Sequence, residues 1–205
     1  MITSALDIAG LTLDDVLTVA DVVQIGARNA QNYGLLTALG QIDRPVLLKR
    51  GMSMTVDETV KAAAYVLAGG NDRVILCERG IRTFETAYRF TLDVGAVPLL
   101  KERSGLRVIV DPSHAAGRRD LVLALSKAAV AVGADAIMVE VDEDPDAALS
   151  DPLQQLHLAD LAGYAAALGR VVADEGRTVL HARSAACLTP RPLQRRLSHE
   201  MIALA

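Results

Sequence analysis

VILCERG (74–80) is a short apolar run that closes on two charged residues and a glycine. Four other segments end in a similar way: VVQIGAR (22–28), VLLKRG (46–51), VIVDPSH (108–114) and IMVEVD (137–142). They recur about every 25–30 residues, and most intervals hold a helix-like stretch, which is the rhythm of repeated βα units around a parallel sheet. In a parallel barrel the C-terminal ends of the strands open on one face, and chemistry sits there. The pattern therefore gathers Arg28, Lys49, Arg79, His114 and Glu140 around one mouth.

Working outward, strands are expected near 1–6, 21–26, 45–49, 73–77, 107–111 and 136–141. Helices are expected near 12–19, 30–38, 56–68, 84–92, 119–132 and 153–169. Thr55 followed by Glu58 is a capping-box pattern that opens the third helix, and Gly69-Gly70 closes it. A closed (β/α)8 barrel needs eight strands and about 250 residues. About six of eight βα units are legible, so the fold class is α/β, a partial (β/α)8 barrel. Residues 1–170 carry this rhythm. Residues 171–205, rich in arginine and broken by Pro190 and Pro192, are expected to form a C-terminal extension with a short helix at 193–204.

Composition narrows the class of function. Apolar residues make up 51% of the 205 and aromatic ones 3%, which suits a core of Val, Leu, Ala and Ile. The net charge of −4 argues against a nucleic-acid or anionic-membrane surface, so any cationic site is local. The most apolar stretch, 121–139, contains Lys127, Gly133 and Asp135 and is not a membrane span. Two cysteines, Cys77 and Cys187, are too few for a disulfide framework, and the start lacks a basic signal region. A cytoplasmic protein is expected.

Two groups of residues carry the chemistry. Arg28, Lys49 and Arg79 end neighbouring strands, each with a glycine close by. Guanidinium forks and an ammonium suit phosphate and carboxylate, and three in register suggest a small polyanion such as a phosphorylated carboxylic acid. Any one of them alone would read more simply as a surface charge capping a strand. His114, Glu140 and Asp151 form the second group, a ligand set for a divalent metal such as Mn, Fe, Co or Zn. Glu140 inside an apolar strand needs a counter-charge.

QIGARNAQN (24–32), PVLLKRG (45–51), ILCERGIRTFETA (75–87), VDPSHAAGRRDL (110–121) and the VEV to ALSD run (139–151) resemble 3-deoxy-D-arabino-heptulosonate 7-phosphate (DAHP) synthases, of the type related to 3-deoxy-octulosonate 8-phosphate synthases. The resemblance runs from about Ile2 to Leu156. It implies a (β/α)8 enzyme that condenses phosphoenolpyruvate with erythrose 4-phosphate, the first step of the shikimate pathway. It implies that Arg28, Lys49 and Arg79 bind phosphoenolpyruvate, and that His114, Glu140 and Asp151 are the metal ligands. Lys49 and His114 are the candidate catalytic residues, Lys49 for managing a proton beside phosphoenolpyruvate.

The match also departs from the family. Ile2-Thr-Ser-Ala-Leu corresponds to the family's third barrel strand, and the GPCS-type motif with a metal-binding Cys and the KPRTS-type loop that contacts both substrates do not occur in this sequence. Asp142 stands where close relatives usually show His. The chain alone is therefore expected to bind metal weakly and turn over little. The alternatives are a truncated non-catalytic paralogue, or a sister synthase acting on another sugar phosphate. A homo-oligomer, or a partner chain covering the open barrel edge, is expected as well.

Overall fold

The structure, a computed structural model, describes residues 2–3, 12–18, 20–179 and 199–203, the first and last of these segments through their backbone. Strands β1 (Ile2–Thr3), β2 (Val22–Ile25), β3 (Val46–Lys49), β4 (Val74–Glu78), β5 (Arg107–Val110) and β6 (Ala136–Asp142) pair in chain order, every pair parallel. Between them run α1 (Leu13–Leu17), α2 (Tyr33–Leu39), α3 (Val56–Ala68), α4 (Ala96–Ser104), α5 (Pro112–Ala116) and α6 (Arg119–Ala131). The curled sheet with its helices is a partial (β/α)8 barrel. No helix among the described residues is long and apolar enough to cross a membrane.

Alternation along the strands separates two cores. Val46, Leu48, Val74, Leu76, Val108, Val110, Ile137 and Val139 face the helices and join the larger cluster. Leu47, Cys77, Ile109, Ala136 and Met138 form a second, inner cluster. Each fully buried aliphatic side chain is worth about 1.5–3 kcal/mol, so the outer layer supplies most of the stability. The inner face of β3 is buried, with Leu47 only 1% exposed. Mutual packing of the inner residues accounts for part of this.

Helix α3 shows how the sequence sets one element. Thr55 accepts from the Glu58 backbone while the Glu58 carboxylate accepts from the Thr55 backbone, and Thr59, Ala62, Ala63 and Val66 form the buried stripe. Gly69 does more than end it. A Cβ on Gly69 would lie 2.6 Å from the Cα of Gly40, so the ends of α2 and α3 touch where neither can carry a side chain. Thr55→Ala is expected to lower stability by about 1 kcal/mol, read as an earlier urea midpoint at constant m.

Three helix expectations are corrected. Residues 84–92 are not helical: Ile81 and Thr91 form a β-bridge, and the backbone N–H groups of Arg89 and Phe90 donate to Ala116 and Ala115 of α5. Those tertiary bonds, with Arg50 holding both buried Glu78 (2.8 Å) and Asp93 (2.9 Å), fix the segment as a loop. Burial raises the Glu78 pKa, and Arg50 opposes that rise. The expected helix at 153–169 begins later, as α7 (Leu161–Asp174), after a short parallel strand β7 (Leu156–His157) on β6. The expected helix at 193–204 lies largely outside the described residues. Its described part, β8 (His199–Ala203), is a strand antiparallel to β6, with His199 opposite Glu140. An open sheet edge offers unpaired backbone groups, and pairing with them outweighs a short helical pattern.

Candidate active site

Two residues beyond the inner apolar layer, the same faces turn charged. Leu47 is followed by Lys49, Cys77 by Arg79, Ile109 by Asp111 and Met138 by Glu140. All four charged residues are buried: Lys49 4%, Arg79 4%, Asp111 1% and Glu140 6% exposed. Buried charges need partners: Lys49 pairs with Asp111, and Glu140 is met by His114 and Gln154.

Asp111 lies at the centre. It caps α5, its Oδ1 accepting from the His114 backbone at 3.0 Å with Pro112 at the first helical position. Its Oδ2 accepts from Lys49 Nζ at 2.8 Å and lies 2.7 Å from His114 Nδ1. Burial works to raise its pKa, but the charges of His114 and Lys49 and the bonds from His114 hold the carboxyl well below its ordinary range. An ionised carboxylate only accepts, so Nδ1 carries the imidazole proton and Nε2 is left as the nitrogen available to a ligand.

His114 Nε2 points at Glu140 Oε1 (3.6 Å) and Asp151 Oδ2 (3.9 Å), and one ligand atom from each of the three residues lies within 4.8 Å of the others. Each is steered by a second group. The Glu140 backbone N–H donates to Ser113 Oγ at 3.1 Å, which ties β6 to α5, and Gln154 Nε2 donates to Glu140 Oε2. Arg89 Nη1 donates to Asp151 Oδ1 (2.9 Å) and to Gln154 Oε1 (3.0 Å). Asp151 has φ +49, the one non-glycine positive φ among the described residues. Asp tolerates that region, and such a backbone concentrates at functional sites. Arg119 holds the loop carrying it, donating to Asp146 (2.9 Å), the Pro152 carbonyl (3.0 Å) and the Gln155 carbonyl. Burial raises the Glu140 pKa, and the His114 charge counteracts it. One imidazole and two carboxylates, each oriented by a second group, fit a divalent cation.

The anion-binding candidates behave differently from one another. Arg79 stacks on Phe90, its Cζ 4.5 Å from the ring centroid, and its Nη1 is buried with no hydrogen-bond partner. Burial lowers its pKa while the Asp111 charge works to raise it, which places the two side chains near one another. A buried guanidinium with an unfilled donor is suited to an anion. Arg28 stands in the turn after β2 and is exposed. A Cβ on Gly80 would run into Phe90 and Ala115. Sequence reasoning missed Asp111, Arg89 and Gln154. Only Asp111 had a signal, the helix-start pattern Asp-Pro.

The family model described as the DAHP synthetase I family matches residues 1–173. Phospho-2-dehydro-3-deoxyheptonate aldolase of Thermotoga maritima is 56% identical over 144 residues, 70% of this chain and 43% of that protein. 2-dehydro-3-deoxyphosphooctonate aldolase of Geobacter sulfurreducens is 34% identical over 155 residues, 70% of this chain and 56% of that protein. Among solved structures, a truncated form of 3-deoxy-D-arabino-heptulosonate 7-phosphate synthase from Thermotoga maritima matches with a TM-score of 0.78 and 48% identity, over 80% of this chain and 63% of that one. The chain spans about half the length of the curated relatives it matches.

Proposed function

This chain belongs to the DAHP synthetase I family, and on that premise we propose that it serves the condensation of phosphoenolpyruvate with erythrose 4-phosphate and water to give DAHP and inorganic phosphate. One observation carries the reading. Two buried cations, Lys49 bonded to Asp111 and Arg79 near it with an unfilled donor, lie beside the carboxylate that orients His114 of the His114–Glu140–Asp151 cluster. An anionic enol phosphate and a polarised aldehyde have to meet in such a place. The seven-carbon product is favoured over the eight-carbon one because identity is 56% to the heptonate relative and 34% to the octonate relative.

In this reading Arg28, Lys49 and Arg79 hold the phosphate and carboxylate of phosphoenolpyruvate. Its C3 bonds to the aldehyde carbon, water adds at C2, and the C2–O bond breaks as phosphate leaves with the electron pair. Lys49, resting on Asp111, is the group placed to hold or move a proton beside phosphoenolpyruvate. His114, Glu140 and Asp151 would hold the divalent cation, of the Mn, Fe, Co or Zn class. When bound, it supplies Lewis-acid polarisation of the aldehyde oxygen.

Calorimetry with phosphoenolpyruvate tests the reading. The wild type is expected to bind it, and Arg79→Ala to lower the affinity tenfold or more, since a lost charge-assisted anion contact costs about 1.5–3 kcal/mol. Equal affinities would remove Arg79 from the site, and a wild type that does not bind would remove the proposal.

A further inference from the structure

One oxygen atom serves both halves of the site. Asp111 Oδ2 accepts from Lys49 Nζ at 2.8 Å and lies 2.7 Å from His114 Nδ1. Capping of α5 uses the other oxygen, Oδ1. The contact with Lys49 joins residues 62 apart in sequence, on β3 and just after β5, so it is no by-product of the local helix start. At 1% exposure Asp111 lies behind both side chains.

Resting on the functional reading above, we propose that Asp111 is a positioning residue that couples anion binding at Lys49 to cation binding at His114. Two donors on one oxygen compete: what Oδ2 gives to Lys49 it withholds from His114. An anion that draws the Lys49 ammonium forward leaves Oδ2 to the imidazole alone. The ring is then held more firmly with Nε2 toward Glu140 and Asp151, and the cation binds more tightly. By linkage the cation tightens the anion by the same factor.

The test is calorimetry on wild type and Asp111→Asn with Mn2+ and phosphoenolpyruvate as probes, singly and together. The Asn amide oxygen can still cap α5, so circular dichroism should be unchanged. The variant is expected to bind Mn2+ about ten- to a hundredfold more weakly. Phosphoenolpyruvate should no longer raise Mn2+ affinity as it does in the wild type. Wild-type Mn2+ affinity with undiminished coupling in the variant would overturn the inference and leave the functional reading standing. A wild type that binds neither probe would overturn both. Should the Asn variant not fold, nitrogen-labelled histidine in Lys49→Met decides the matter by NMR. The His114 Nδ1 proton signal shifts if the two side chains share Oδ2, and an unmoved signal overturns the coupling.

Discussion

Replacing His114 with alanine is expected to weaken Mn2+ binding by more than about 100-fold, beyond the loss typical of an orienting partner. The imidazole is the sole nitrogen in the cluster, and its Nε2 faces both carboxylates. Without it Glu140 and Asp151 confront each other, with Gln154 and Arg89 at their outer oxygens. Electron paramagnetic resonance of free Mn2+ against protein concentration gives the affinity directly. Near-equal affinity in wild type and variant would mean that the cation sits elsewhere. The same titration carries a pH signature. Burial raises the Glu140 pKa, and a proton there competes with the cation. Affinity should therefore fall on acidification at a pH above the ordinary glutamate range rather than within it.

Gly80→Ala is expected to cost about 3 kcal/mol of stability, from left-handed strain and crowding together. Gly80 has φ +93, and a Cβ there would sit 2.8 Å from Phe90 Cβ and 3.0 Å from Ala115 Cα. Neither neighbour can retreat cheaply: Ala115 lies within α5, and the Phe90 backbone donates to the Ala115 carbonyl. Moving Phe90 also disturbs the ring on which Arg79 stacks, so phosphoenolpyruvate affinity should drop along with stability. Urea unfolding measures the first effect. A loss under about 1 kcal/mol would show that the loop yields without strain.

Where the sequence could be read, local chemistry decided the structure. The apolar runs ending in Lys49, Glu78-Arg79 and Asp111 announced the strands, and Thr55 with Glu58 announced a helix whose observed span, Val56–Ala68, matches the expected one. What escaped depends on contacts between distant residues. Residues 84–92 read as a helix because nothing local shows that Arg89 and Phe90 bond to α5. His114, Glu140 and Asp151 could be named from residue type and the family resemblance, and the structure brings them within reach of one another. Gln154 and Arg89 could not. An amide and an arginine in polar loops look like any others until Glu140 and Asp151 are placed beside them. Asp111-Pro112 is a helix-start pattern that was not read as one, and the bond of Asp111 to Lys49 joins residues 62 apart.

The alternation that puts Leu47 under Lys49 and Cys77 under Arg79 makes strand length a matter of parity. Loss of one codon inside a strand reverses which neighbours face the helices and which face the interior. In β4 such a loss would carry Arg79 outward and turn Glu78 inward, away from Arg50. Core and chemistry would fail in one event, with no intermediate state for selection to repair. The connecting segments have no such phase to lose. Insertions and deletions in a lineage of such chains should therefore collect between the strands, while the strands themselves change only by exchange of one side chain for another.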